Sequence, residues 1–163
     1  MEILNVNTEL IPETSAFAQE VFIDYYTAIN GYEHASYMAE KFLSEEAIAQ
    51  LIDSGAVFLL LKQENMPVAF CEYIDEGDRI FLSKLYVHKD LRGKGLGRIM
   101  FERCKEYARR RNRNSIYLTV NKHNTPSYEL YLHLGFKIID SVVTDIGNGY
   151  VMDDYVMQLK INE

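Results

Sequence analysis

The densest chemical signal in the chain is Arg92-Gly93-Lys94-Gly95-Leu96-Gly97, three glycines between a predicted strand and a predicted helix. Glycines there let a ligand approach the backbone, and a helix N-terminus adds partial positive charge. Together the N–H groups and the dipole would cradle a phosphate. Two familiar cradles are excluded. The dinucleotide fingerprint GxGxxG begun at Gly93 needs glycine where Arg98 stands, and GxxxxGK[ST] fails because Gly93-Lys94 is not followed by Ser or Thr. The plain alternative is a tight strand-to-helix connection.

The flanking elements set the frame for that loop. Ile3, Leu4 and Val6 predict a short strand, and Pro12 followed by Phe17, Val21 and Phe22 predicts an amphipathic helix to about Tyr26. An aromatic and acidic stretch, Tyr25 to Tyr37, reads as a linker. Ser44 then caps a helix carrying Ile48, Leu51 and Ile52. Residues 57–74 read as a hairpin turning at Asn65-Met66-Pro67, and Ile80 to Val87 is a third strand that runs into the loop. A helix follows to Arg109-Arg110-Arg111, then a strand Ile116–Val120, a short helix Pro126–Leu134, a strand opening at Phe136 and a last strand from Tyr150 to Ile161. The order β-α-α-β-β-β-α-β-α-β-β is an α/β pattern, a mixed sheet with helices on both faces.

The 163 residues suit a single domain, 1–163, and 48% hydrophobic with 25% charged residues is a globular composition. No run approaches the roughly 18 apolar residues of a membrane span, and the start lacks a signal-peptide pattern, so the expectation is a cytoplasmic protein without a membrane partner. Cys71 and Cys104 form no CxxC, and His34, His88, His123 and His133 offer no metal-ligand spacing, so no metal is expected. The net charge of −7 hides an asymmetry: residues 1–75 hold 13 Asp and Glu against Lys41 and Lys62, a balance of −11, whereas residues 79–122 hold 13 basic and 3 acidic residues, a balance of +10. Such polarity suits a polyanion on one side and a neutral or cationic partner on the other. A nucleic-acid reading of Arg98, Arg103, Lys105, Arg109–Arg111 and Arg113 is set aside, because those residues decorate one helix of an acidic chain.

The loop also matches R/Q-x-x-G-x-G/A. Joined to the strands Lys84–His88 and Tyr117–Asn121 and to the block Asn124-Thr125-Pro126-Ser127-Tyr128-Glu129-Leu130-Tyr131-Leu132-His133-Leu134-Gly135-Phe136, it resembles the GNAT family of N-acetyltransferases over most of the chain. The resemblance implies a GNAT-like fold with splayed central strands and acetyl-CoA as donor. It implies that the pyrophosphate is held by Arg92, Gly93, Lys94, Gly95, Leu96, Gly97 and Arg98. Pantetheine would run along Leu85, Tyr86 and Val87, with an N–H near Val87 polarising the thioester carbonyl. Asn124 corresponds to a position that contacts the cofactor, and it also reads as a helix N-cap before Pro126. Tyr131 aligns with the tyrosine near the sulfur, a catalytic general acid for the departing thiolate; its other reading is packing beside Leu130 and Leu134. Tyr128 reads as packing.

One departure concerns the base. Relatives often carry a Glu on the strand before the loop, but Ile80-Phe81-Leu82-Ser83-Lys84 has no carboxylate. Glu72, Asp75 or a water could replace it, and the base stays unassigned. The segment Met152-Asp153-Asp154-Tyr155-Val156-Met157 resembles the late strand of small-molecule and polyamine acetyltransferases. With the acidic first half, in which Glu33 and Tyr25, Tyr26, Tyr32 and Tyr37 could receive an ammonium chain, it points to a small cationic amine acceptor such as a polyamine. The alternatives are a peptide or protein N-terminus or lysine as acceptor, and a GNAT-like protein that binds CoA without turnover. A second copy of the chain, as a homodimer, is a further candidate partner.

Overall fold

The structure is a computed structural model that describes residues 1–161. Contacts divide the chain into two compact units, residues 1–74 with 83–104 and residues 75–82 with 105–163.

In the first unit, β1 (Glu2–Asn5), β2 (Val57–Gln63), β3 (Met66–Asp75) and the second half of β4 (Arg79–Val87) are neighbours in that order. The helices α1 (Ile11–Asn30), α2 (Tyr32–Leu43) and α3 (Glu45–Asp53) precede β2, and α4 (Leu96–Arg110) follows β4. Asn7 Oδ1 accepts from the N–H groups of Glu9 and Leu10 just before α1, and Phe17, Ala18, Val21 and Phe22 form its buried stripe. The Ser44 hydroxyl caps α3 by accepting from Ala47 N at 3.1 Å, as the sequence predicts.

The predicted linker is instead the helix α2, so three helices precede β2 rather than two. Its buried residues are Ala35, Met38, Ala39 and Leu43. Two of the four are alanines, which carry little hydrophobic signal yet allow close packing, while the aromatic residues that dominate the segment by eye lie largely off that stripe. The Ser15 hydroxyl fixes the end of α2 to α1 by donating to Leu43 O at 2.6 Å. The β2–β3 turn is also displaced: Glu64 and Asn65 both have positive φ, 51° and 64°, which is the two-residue hairpin geometry that matches strand twist. Met66 and Pro67 therefore begin β3, with Pro67 beside a bulge at Val68 of the same strand, a place that tolerates its missing N–H.

In the second unit the order is β4, β5 (Ser115–Asn121), β7 (Tyr150–Lys160), β6 (Lys137–Gly147), with α5 (Thr125–His133) after β5. The sheet is mixed: β4 and β5 are parallel, and β5–β7 and β7–β6 are antiparallel. The parallel ladder covers only Arg79–Phe81 with Ser115–Tyr117, a short join of the kind that splayed central strands predict. The sequence signal for β6 stopped near Ile139 because nearly the whole strand is exposed and its apolar and polar residues come in pairs, which hides the period of two.

One ion pair ties the end of β3 to the chain entering β5. Arg113 donates from Nε and Nη2 to the two oxygens of Asp75 at 2.8 and 3.0 Å, a bidentate fork, with Arg111 nearby. The hydrogen bond from Arg113 holds the Asp75 carboxyl below its usual 3.8. A depressed carboxylate contributes stability above its unfolded-state value and loses it as pH falls through the folded value. Asp75→Asn should therefore lower Tm by a few degrees at neutral pH, and the gap to the parent chain should close as pH drops below about 3.8, which thermal melts across a pH series would measure.

Candidate functional site

The loop is built from β4 outward. Beyond Val87 the chain makes a single 3₁₀ turn, Lys89–Leu91, in which His88 Nδ1 accepts from Asp90 N at 3.2 Å. Arg92 then folds back: its Nε donates to Val87 O at 3.2 Å and its guanidinium lies 4.9 Å from the centre of the Tyr25 ring. Gly93 and Gly95 adopt φ of +78° and +82°, a conformation that residues with Cβ atoms rarely adopt. The space beside both is open, so the constraint is the backbone angle itself and not crowding. Leu96, 5% exposed, anchors the first turn of α4, and the first recorded helical bond there is from Ile99 N to Gly95 O. The N–H groups ahead of Ile99 have no partner within the helix, as at any helix start. Arg92, Lys94 and Arg98 are exposed around them. Polar N–H groups, a helix dipole and three cations together suit an oxyanion-rich ligand.

Leu85, Tyr86 and Val87 are half-buried on the last turn of strand before that loop. Tyr86 is held in a cluster of rings, with centroids 5.7 Å from Phe22, 5.8 Å from Tyr25, 6.1 Å from Tyr26 and 5.6 Å from Phe70. Its hydroxyl oxygen lies 3.0 Å from that of Tyr26. Two of the five residues expected to receive an ammonium, Tyr25 and Tyr26, are thus gathered here. Tyr32 stands apart, lining a groove of about 560 Å³ with Glu20, Asp24, Thr27, His88 and Lys89. Tyr37 lies under Lys41, and Glu33 is exposed in the first turn of α2. A second groove, of about 570 Å³, carries Glu13, Glu20 and Asp90 along an apolar floor that includes Phe17 and Val68.

Asn124 and Tyr131 belong to the second unit. Asn124 is buried, and its Oδ1 caps α5 by accepting from Ser127 N at 3.3 Å. Tyr131 is half-buried, with its ring edge-on to Phe136 at 5.5 Å. None of the residues of α5 is fully buried, and Leu130 is 47% exposed, so the helix does not form a core stripe around Tyr131. Tyr128 packs on Tyr155 at 5.6 Å.

Neither carboxylate weighed as a base is at liberty. Glu72 is buried and accepts from Lys84 Nζ at 2.8 Å, and Asp75 is forked by Arg113. The cysteines offer no nucleophile: burial raises the Cys71 thiol well above its usual value and pushes Cys104 up to about 12. Sequence reasoning missed the Glu72–Lys84 pair and the Arg92 clamp. Lys84 on its strand carries no marker of a partner twelve positions earlier. Among the described residues no group of three or more His, Cys, Asp and Glu side chains could hold a metal, and no helix is long and apolar enough to cross a membrane.

Removing one member of a buried pair leaves the other charge uncompensated. Lys84→Met should destabilise the chain by roughly 3–5 kcal/mol, while Lys84→Met combined with Glu72→Leu should recover most of that loss. Urea unfolding of the three chains would read the cycle.

The family model described as the acetyltransferase (GNAT) family matches residues 17–136. An uncharacterised N-acetyltransferase of Lactobacillus delbrueckii subsp. lactis is 22% identical over 157 residues, covering 91% of each chain. A peptidyl-lysine N-acetyltransferase of Salmonella typhimurium is 26% identical over 107 residues, 65% of this chain and 68% of that one. Among solved structures, the PaiA N-acetyltransferase of Thermoplasma acidophilum in complex with coenzyme A superposes with a TM-score of 0.82 at 20% identity, covering 98% of both chains.

Proposed function

The chain belongs to the acetyltransferase (GNAT) family, and on that premise we propose that it is an enzyme transferring an acetyl group from acetyl-CoA to a primary amine on a small cationic molecule such as a polyamine. The observation that carries the donor is the Arg92–Gly97 loop, where two left-handed glycines open the backbone at the start of α4 and three cations surround it. The family match takes in residues of both units, and the reading treats 1–163 as one catalytic domain.

In this reading the N–H groups from Arg92 to Arg98 bind the donor's pyrophosphate, and Leu85, Tyr86 and Val87 offer backbone groups to pantetheine, as an added strand would. An N–H near Val87 stabilises the oxyanion that forms on the thioester carbonyl. The peptide that follows Val87 is not that donor, since its His88 N–H donates to Val68 O at 2.9 Å and its carbonyl accepts from Arg92 Nε at 3.2 Å, which leaves the role to the N–H of Val87 itself. Asn124 contacts the donor from the start of α5. Tyr131 donates its proton to the thiolate as the C–S bond breaks; a phenol of ordinary pKa about 10 is protonated at neutral pH and close enough to a thiol to donate.

The acceptor follows from charge. The acidic half of the sequence supplies Glu13, Glu20 and Asp24 to the two grooves, with Tyr32 lining one; Glu13 pairs with Lys62 and Asp24 stands 3.8 Å from Lys89, and carboxylates still outnumber the lysine of the lining, which favours ammonium groups over anions. The test is release of free thiol from acetyl-CoA in the presence of spermidine, a neutral amino sugar or a lysine-containing peptide. Spermidine should give the highest kcat/KM, and its advantage should shrink as salt screens the carboxylates. A peptide or neutral amine outperforming spermidine at every salt concentration would move the acceptor to that class, and no thiol release with any amine would leave a CoA-binding protein without turnover.

Tyr131→Phe keeps the ring and removes the proton. Its kcat should fall by about 10²–10⁴-fold with the KM for acetyl-CoA little changed; an unaltered kcat would return Tyr131 to a packing role.

A further inference from the structure

The two grooves along α1 meet. Their linings share Glu20 and His88 and no other residue, and every residue of both belongs to the first unit. His88 follows Val87 directly, so the junction of the grooves abuts the end of the strand whose N–H is assigned to the thioester oxygen.

The carboxylates of the lining differ in what already holds them. Glu13 is paired with Lys62, Asp24 stands 3.8 Å from Lys89, and Asp90 stands 3.8 Å from His88 Nδ1, which also accepts from Asp90 N. The exposed Glu20 carboxylate forms neither an ion pair nor a hydrogen bond among the described residues. A solvated carboxylate needs no partner, so the lack of one is not what singles Glu20 out. Its position is: the one uncommitted acid stands where both grooves join.

Spacing adds a length. Glu13, Glu20 and Asp24 are seven and four residues apart, which puts them on one face of α1, separated by about 10 Å and about 6 Å along its axis. The lining between them is apolar, with Ala16 and Phe17 toward Glu13 and Val21 and Ile23 toward Asp24. Carboxylates parted by apolar surface match ammonium groups parted by methylenes. A polyamine can use more than one of these positions at once, and only at Glu20 does its ammonium displace no existing partner.

We propose that Glu20 sets acceptor specificity by binding a non-reacting ammonium of the acceptor, and so selects di- and triamines over monoamines. The inference rests on the acceptor reading above and narrows it to one residue. Glu20 makes and breaks no bond in the transfer. Its contact is the same before and during reaction, so its contribution belongs to KM and not to kcat.

The experiment measures thiol release from acetyl-CoA with spermidine and with butylamine, for the parent chain, Glu20→Gln and Glu20→Asp, beside calorimetric titration of spermidine into each chain in the presence of CoA. Because Glu20 is exposed and unbonded, both variants should melt as the parent does. Glu20→Gln should lower the ratio of kcat/KM for spermidine over butylamine by about three- to tenfold at low salt, with the change in the KM for spermidine. Its calorimetric affinity for spermidine should fall by the same factor, Glu20→Asp should recover part of the loss, and added salt should erase the difference between parent and variant. An unmoved spermidine KM and affinity in Glu20→Gln would overturn the assignment, and so would an equal loss with butylamine, since a structural role or a general field does not distinguish the two amines. If the parent releases thiol with no amine, the acetyltransferase reading falls by itself and calorimetry still decides Glu20: spermidine held by the parent and weakened in Glu20→Gln sustains the site, whereas equal binding, or none, ends it.

Discussion

A helix that begins in the open must leave its first N–H groups unsatisfied, and the Arg92–Gly97 junction is arranged around that constraint. The chain has to leave β4, turn and start α4 within a few residues, which Gly93 and Gly95 allow by adopting backbone angles that cost other residues strain. Leu96 is buried so that the first turn cannot drift, and Arg92 is bonded back to Val87 O so that the strand's end and the helix's start keep a fixed spacing. Nothing in the loop fills the open space beside the glycines, so a ligand oxygen can approach the backbone. The ring cluster around Tyr86 serves the same end from the strand side by holding the residues that precede the loop.

Charge is then distributed by what can be paired. Glu72 takes Lys84, Asp75 takes Arg113 and Asp153 takes Lys122, so most carboxylates near the strands are spoken for by a neighbouring cation. Exposed pairs of this kind add little to stability, but the Glu72–Lys84 pair is buried and so constrains β3 and β4 strongly. The same pairing removes both carboxylates that sequence alone could offer as a base. Of the groove carboxylates on α1, Glu13 pairs with Lys62 and Asp24 stands 3.8 Å from Lys89, with Glu20 on the same helix. Acidic composition thus resolves into a solvated face and structural ion pairs.

The sequence by itself determined the α/β order, the strand that delivers the loop, the glycines, the cap at Ser44 and the family, because each is a local pattern: period, cap chemistry and a motif of fixed spacing. It did not show α2, whose buried stripe is half alanine, nor the turn at Glu64-Asn65, where two non-glycine residues take positive φ because strand twist demands it. Only tertiary structure decided which carboxylates are held and by which cations. Lys84 meets Glu72 across twelve residues, Arg113 meets Asp75 across thirty-eight, and Asp154 is buried at its place between Asn121 and Val142 in the sheet. A side chain's type is written in the chain, but its proton affinity and its partner depend on burial and on what register sets opposite it.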